Sequence, residues 1–121
     1  MKVAVIGSRT VSDAYYEDLC WHMPIGASEI ISGGADGADQ LAERYARQMH
    51  LPCRIYAPNY KKYGKQATLI RNQQIIHAAD YVIALWDGVS RGTGYTIKAC
   101  LQAYIPIRII DCSPKGKELE I

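Results

Sequence analysis

A stretch rich in glycine and aspartate, Ser-Gly-Gly-Ala-Asp-Gly-Ala-Asp at residues 32–39, has the composition of a loop that can hold an anion. A short run typical of a strand end precedes it at 29–31. Apolar residues recur at helical spacing after it, at Ala38, Leu41, Ala42, Tyr45, Ala46 and Met49. Glycine permits positive φ and close approach of a ligand, and the first N–H groups of a helix favour phosphate or carboxylate. The pattern predicts an anion-binding turn, and it also fits a tight connection that binds nothing.

Two further turns built from small and polar residues favour the first interpretation. Residues 7–10 follow an apolar run at 3–6, and the glycine-rich residues 87–94 follow another at 81–86. Loops that leave the carboxyl ends of parallel strands meet at one edge of the sheet, and ligands bind there where the strand order reverses. We therefore expect three loops to converge on one ligand site.

Alternating strand and helix patterns indicate which elements position these loops. Strands are predicted at residues 3–6, 29–31, 53–56, 81–86 and 107–110. Helices are predicted from a cap at Ser12 to Met23, at 38–49, at 66–79 with Leu69, Asn72, Ile76 and Ala79 on one stripe, and at 93–104. Residues 57–65 are predicted to be a polar loop. This alternation predicts a parallel sheet covered by helices on both faces.

The composition is that of an ordinary globular chain of 121 residues, with 49% apolar and 21% charged residues. We expect one domain at 1–112 and a short charged tail at 113–121. Fourteen basic and twelve acidic residues leave a net charge of +2, which does not indicate a nucleic-acid coat. The apolar runs are too short for a bilayer, and the four cysteines lack metal-site spacing. We expect a cytoplasmic protein without a signal region, a membrane partner or a metal.

Several motifs, in one order along the chain, carry a resemblance to a known family. They are Val-Ile-Gly-Ser-Arg at 5–9, the stretch at 32–39, Tyr-Gly-Lys-Gln-Ala at 63–67, Arg-Asn at 71–72, and the segment 79–93 with its Trp-Asp-Gly and Gly-Thr. They resemble the SLOG superfamily, in particular its bacterial and phage branch called YspA or cpYpsA-related. The resemblance implies a Rossmann-like, doubly wound three-layer α/β sandwich with about five parallel strands. It is compatible with a homo-oligomer, because relatives often pair through helices beside the site.

The resemblance also implies a small-molecule ligand of nucleotide type, such as ADP-ribose, an NAD-derived compound or a nucleoside phosphate, and the residues that would bind it. Ser8 would donate to a phosphate or ribose, Arg9 and Arg71 would reach phosphates, and backbone N–H groups of the turns would add contacts. The full predicted ligand set is Gly7, Ser8, Arg9, Ser32, Gly33, Gly34, Asp36, Gly37, Arg71, Asn72, Asp87, Gly88, Arg91, Gly92 and Thr93. For both arginines a solvated surface position remains an open alternative.

Catalysis is where the chain departs from the pattern that it resembles. Relatives that cleave N-glycosidic bonds carry Gly-Thr-x-x-Glu, whereas this chain has Gly-Thr-Gly-Tyr-Thr at 92–96, so that Thr96 replaces the carboxylate. A threonine hydroxyl cannot supply the charge or the proton transfer that such a reaction needs. Asp36 and Asp87 are weak candidates for a substitute acid.

We therefore predict a ligand sensor or sequestering module, with a nucleotide N-glycosidase or phosphoribohydrolase-like hydrolase as the first alternative. A single-stranded DNA-binding module similar to the DNA-processing protein DprA is the second. Residues 60–65 interleave basic and aromatic side chains, as single-strand platforms do, but they form one short segment. A lid over a small anionic ligand explains them at least as well, so we do not expect nucleic acid as a partner.

Overall fold

The computed structural model describes residues 1–114. The strands are β1 (Lys2–Gly7), β2 (Glu29–Ser32), β3 (Cys53–Ile55), β4 (Tyr81–Trp86) and β5 (Ile107–Asp111). The helices are α1 (Tyr16–His22), α2 (Ala38–Gln48), α3 (Tyr60–Tyr63), α4 (Ala67–Ala78) and α5 (Arg91–Gln102). A 3-10 turn capped by Ser12 replaces the start of the predicted first helix. Most of the predicted tail, at 115–121, lies outside the described residues.

The five strands form one parallel sheet in the order β3-β2-β1-β4-β5, which confirms the predicted doubly wound α/β class. The chain builds the sheet outward from β1 to β3 and then crosses back to place β4 on the other side of β1. The strand order therefore reverses between β1 and β4, whose last paired residues are Gly7 and Leu85. Their carboxyl ends open a crevice of the kind in which α/β proteins bind ligands.

The core lies on both faces of the sheet, because successive side chains of a strand point in opposite directions. Val3 and Val5 of β1 pack in the cluster that includes residues of α1 and α2, whereas Ala4 and Ile6 pack with residues of α4 and α5. Burial on both faces explains why the central strands β1 and β4 are continuous apolar runs. Within residues 1–114 no helix has the length and apolar content needed to cross a bilayer.

Two predicted loops prove to be partly helical. The segment 57–65 contains α3, which Asn59 caps by accepting a hydrogen bond from the Lys62 N–H at 3.1 Å. α5 begins at Arg91, so the last four residues of the predicted loop at 87–94 belong to that helix. A four-residue helix and a helix that starts with glycines both escape detection by apolar periodicity.

The predicted stripe of α4 is correct for Ile76, which is buried, and for Ala79, which packs against the same core cluster, but not for Asn72. This helix buries Ala67, Arg71, Ile75 and Ile76, whereas Asn72 is only half-buried. Apolar periodicity missed this face because one of its inward residues is an arginine. The buried polar group of α4 is therefore Arg71, and the way it is satisfied decides how the site is built.

Candidate ligand site

A cavity of about 320 Å³, which we call the main cavity, opens at the carboxyl edge of the sheet between the loops after β1 and β4. It lies within the size range of small-molecule sites. The loop between β2 and α2, at residues 33–37, which we call the glycine-rich loop, forms a further wall of the cavity. One face of α4 and the first turns of α5 complete its walls. The lining residues are Ile6, Gly7, Ser8, Arg9, Thr10, Ala35, Asp39, Thr68, Leu69, Arg71, Asn72, Ile75, Ser90, Gly92, Thr93 and Thr96.

Asp87 ties the loop after β4 to the loop after β1. Its Oδ1 accepts from the N–H groups of Val89 (2.9 Å) and Ser90 (2.7 Å), and its Oδ2 accepts from the hydroxyls of Ser90 (2.7 Å) and Thr10 (3.3 Å). Burial raises the pKa of Asp87, but hydrogen bonds from Ser90, Val89 and Ser8 outweigh it and lower the pKa to about 2. Asp87 is therefore an ionised loop anchor and not a proton donor at neutral pH.

The glycine-rich loop folds around a carboxylate of its own, that of Asp39 in the first turn of α2. Asp39 is buried and accepts a hydrogen bond from the Ala35 N–H at 3.0 Å. The Gly34 N–H donates to the Ser32 hydroxyl oxygen at 3.3 Å. Backbone donors of the kind that the sequence assigned to a ligand therefore already contact protein acceptors.

Arg71 reaches the same loop from α4. Its Nη1 donates to the carbonyl oxygens of Gly33 at 2.6 Å and Tyr56 at 3.3 Å, and its Nε donates to Asn72 Oδ1 at 2.8 Å. Because a guanidinium can only donate, the amide oxygen of Asn72 must face it, which leaves the amide N–H groups for the cavity. Arg71 thus holds three segments together, and Asn72 keeps it in place.

Gly33 leaves space for two opposite charges to approach each other. A Cβ at this position would lie 2.6 Å from Arg71 Nη1 and 2.9 Å from Asp39 Oδ2. Burial raises the pKa of Asp39, although the Ala35 N–H and the Arg71 charge both lower it. Burial likewise lowers the pKa of Arg71, and the charge of Asp39 opposes that shift. Each group therefore stabilises the ionised form of the other, although both are buried.

The first turn of α5 forms another wall of the main cavity. Ser90 is its N-cap residue, but no side chain makes a capping bond there, since the Ser90 hydroxyl binds Asp87. Gly92 is exposed and lines the cavity, and a Cβ on it would meet no atom within 4 Å. The Thr96 hydroxyl donates to the Gly92 carbonyl oxygen at 2.9 Å. Because first-turn N–H groups have no partner inside their helix, this wall can offer donors to a ligand.

A second cavity of about 320 Å³, which we call the side cavity, adjoins the main cavity. Arg9, Ala35 and Arg71 line both of them. The other residues of the side cavity are Gly33, Gly34, Asp36, Pro58 and Tyr60. The two spaces are therefore separated only by side chains and a loop that they share.

The predicted ligand set divides by position. The predicted residues on the main cavity are Gly7, Ser8, Arg9, Arg71, Asn72, Gly92 and Thr93. Those found only on the side cavity are Gly33, Gly34 and Asp36. Those that line neither, although they lie in the converging loops and the start of α5, are Ser32, Gly37, Asp87, Gly88 and Arg91. Gly37 instead packs against the first loop, where a Cβ would lie 2.5 Å from the carbonyl oxygens of Ser8 and Arg9.

The lining residues absent from the predicted ligand set are Ile6, Thr10, Ala35, Asp39, Thr68, Leu69, Ile75, Ser90 and Thr96. The sequence held a signal for Asp39, because it ends the motif at 32–39 and lies at the start of the predicted helix at 38–49. Leu69 was predicted on the inward stripe of its helix, and Thr68 stands where the family that the chain resembles usually has glycine, but neither pattern assigned these residues to a ligand.

The acids suggested as catalytic do not enter the main cavity. Asp36 is exposed, and its Oδ1 accepts a hydrogen bond from Gln40 Nε2 at 3.2 Å. The carboxylate of Asp87 accepts hydrogen bonds from residues of its own loop. The carboxylate that does line the cavity is that of Asp39. Among the described residues, no three His, Cys, Asp or Glu side chains cluster so as to hold a metal ion.

Comparison with known proteins gives three findings. A family model described as YspA, cpYpsA-related SLOG family matches residues 1–63. The Gene 61 protein of Mycobacterium phage D29 is 30% identical over 118 residues, a match that covers 88% of this chain and 93% of that protein. DNA processing protein A from Helicobacter pylori, in a structure titled for its single-stranded DNA binding mode, shares the fold with a TM-score of 0.70 and 21% identity, over 99% of this chain and 72% of that one.

The last finding corrects one expectation. We did not expect nucleic acid as a partner, on the grounds of net charge and a single basic segment. That exclusion is wrong, because the fold of this chain is also the fold of a protein described as binding single-stranded DNA.

Proposed function

The chain belongs to the YspA, cpYpsA-related SLOG family, and from that premise we propose that the main cavity binds a nucleotide-type ligand through its phosphate at the start of α5. The chain would act as a sensor or sequestering module. The observation that carries the proposal is the glycine at position 92.

Neither the backbone nor the packing of the described chain requires a glycine there. Its φ is not in the positive region in which glycines 34, 37, 64 and 88 lie, and a Cβ would meet open space. A glycine inside a helix is less favourable than alanine by about 0.5–1 kcal/mol. A ligand that must approach the backbone of the first turn would explain why this residue has no side chain, as in phosphate-binding turns.

Charge around the cavity supports the same ligand class. Arg9 lines the main cavity and Arg91 lies in the first turn of α5, and both are exposed. The amide N–H groups of Asn72 add donors without an additional acceptor, since its oxygen faces Arg71. The guanidinium of Arg9 is a charged donor on these walls, which suits a phosphate. Binding without hydrolysis is favoured because the Thr96 hydroxyl carries no charge and is bonded to its own helix.

Gly92→Ala tests the proposal because it should weaken ligand binding while it leaves the stability of the fold unchanged or raises it. Calorimetric titration of the unmodified chain with AMP, ADP-ribose and NAD should reveal binding of at least one. The variant should bind that compound at least tenfold more weakly while its melting temperature stays equal or rises, because alanine favours the helix. Gln102→Ala, at the exposed far end of α5, is the matched control and should bind normally. Equal binding by Gly92→Ala, or binding of none of the three compounds, would refute the proposal.

Single-stranded DNA is a second candidate ligand, favoured by the surface of α3. Tyr60 is 58% exposed, Lys61 and Lys62 are exposed, and Lys62 Nζ lies 5.1 Å from the centroid of the Tyr63 ring. The fold shared with a single-stranded DNA-binding protein supports the same idea. The test is retention of an oligo-dT strand at rising salt, where affinity should fall steeply if lysines displace counterions from phosphates. Affinity that does not respond to salt, or no binding, would remove this candidate.

A further inference from the structure

The main cavity and the side cavity have equal volumes, about 320 Å³ each, and Arg9, Ala35 and Arg71 line both. Each alone lies at the lower end of the range for small-molecule sites. We propose that together they form one site for a two-lobed ligand, a ribose-containing dinucleotide whose bridging phosphates lie between Arg9 and the first turn of α5. This inference rests on the proposed function and adds the class of ligand.

Arg9 is the cation suited to the junction. Arg71 also borders both cavities, but its Nε and Nη1 donate to protein oxygens. Arg9 is exposed and lines the same two cavities as Arg71, so the two positive charges border one space. A phosphate between the cavities would relieve the repulsion between these like charges and could accept a bidentate contact from Arg9.

The side cavity has the chemistry of a nucleoside site and not of a second phosphate site. Tyr60 presents a ring that is 58% exposed, on which a base can stack. Asp36 places an exposed carboxylate on the same cavity, with one oxygen accepting from Gln40. A carboxylate repels phosphate but accepts hydrogen bonds from ribose hydroxyls, as acidic residues do in dinucleotide-binding folds. Because DNA lacks the 2′-hydroxyl, this wall favours a ribonucleoside.

The experiment compares AMP, which fills one lobe, with NAD, which fills two, by titration calorimetry on the full chain. NAD should bind more tightly than AMP by about 5- to 150-fold, the range that stacking on one aromatic side chain supports. Tyr60→Ala should remove this advantage while changing AMP affinity less than twofold, and Tyr60→Phe should keep it. Asp36→Ala should weaken NAD and not AMP. Tyr95→Ala, an aromatic residue of similar exposure that lines neither cavity, is the control and should leave both affinities unchanged.

The outcomes distinguish failure of the two-lobed site from failure of the proposed function. If AMP binds and NAD binds no more tightly, or if Tyr60→Ala weakens both equally, the two-lobed site is refuted while the proposed function stands. If the deoxydinucleotide pdTpdT binds as tightly as NAD and depends on Tyr60, a DNA strand takes the place of the ribose-containing ligand, and the inference is overturned. If none of AMP, ADP-ribose and NAD binds, the proposed function fails and this inference fails with it.

Discussion

Replacing Arg71 by methionine keeps the length of the side chain and removes its charge and donors. The change deletes hydrogen bonds to the carbonyl oxygens of Gly33 (2.6 Å) and Tyr56 (3.3 Å) and to Asn72 (2.8 Å). It also leaves Asp39, which is 7% exposed, without the opposite charge beside it. Each buried acceptor that is left without its partner costs about 1–3 kcal/mol, so the total is a large part of the 5–15 kcal/mol by which small domains are stable.

The loss of folding stability caused by Arg71→Met should depend on pH and should increase as pH rises. Burial raises the pKa of Asp39 and Arg71 lowers it, so the pKa of Asp39 rises further in the variant. A folded-state pKa above the unfolded value means that stability is greatest while the carboxyl is protonated and is lost as pH rises through the folded value. The destabilisation by Arg71→Met should therefore be largest at pH 7 and shrink towards pH 4, near the pKa of an unfolded aspartate.

Urea unfolding followed by far-ultraviolet circular dichroism, at several values of pH between 4 and 7, measures both effects. Arg108→Met, an exposed arginine on edge strand β5, is the matched control and should change the free energy of unfolding by less than about 0.5 kcal/mol. A loss below about 1 kcal/mol at pH 7 for Arg71→Met would show that the guanidinium is not a structural tie. An equal loss at pH 4 and pH 7 would refute its coupling to Asp39.

Three further predictions concern other parts of the site and the core. Asp87, whose pKa is lowered to about 2, should stabilise the fold at neutral pH and lose that contribution as pH falls from about 4 to 2, so the difference in melting temperature between Asp87→Asn and the unmodified chain should narrow over that range. Gly37→Ala should lose about 1–3 kcal/mol in chemical denaturation, because φ is +70° and the new Cβ would meet two backbone oxygens at 2.5 Å. Exposed Cys20 should be alkylated in the folded protein, whereas buried Cys100, with a pKa raised by burial to about 11, should react only on unfolding, as mass spectrometry of timed samples would show.

The architecture could be predicted from the sequence because the central strands are short apolar runs and each of the first four strands is followed by a helix. The predicted bounds of β4 agree with the structure, and the carboxyl-edge cavity lies among the loops that were expected to meet. The start of α5 could not be predicted in this way. Gly94 is typical of loops, but here a Cβ would lie 3.2 Å from the indole of Trp86, so packing between helix and strand explains the glycine.

The hydrogen bonds of the glycine-rich loop could not be predicted from the sequence, for a different reason. Whether a backbone N–H is free for a ligand depends on which acceptor the fold brings to it. The Ala38 N–H meets the carbonyl oxygen of Ser8, thirty residues earlier in the chain, at 3.3 Å. Arg71 Nη1 donates to the carbonyl oxygen of Gly33, which lies 38 residues earlier in the chain. Neither contact leaves a periodic signal, because both join segments that are distant along the chain.

These contacts indicate which of two helix N-termini at the carboxyl edge, that of α2 or that of α5, is better suited to bind an anionic ligand. An anion is stabilised at a helix N-terminus by free N–H groups and by the helix dipole. At α2 the protein supplies its own anion, the carboxylate of Asp39, and one N–H of the first turn is taken by Ser8. At α5 no side chain caps the helix, and Gly92 leaves its backbone open to the cavity. A phosphate at α2 would be repelled by Asp39 and would have to displace protein acceptors. The glycine-rich loop is therefore the scaffold of the cavity, and these contacts support our proposal that a ligand places its charge at α5 and Arg9.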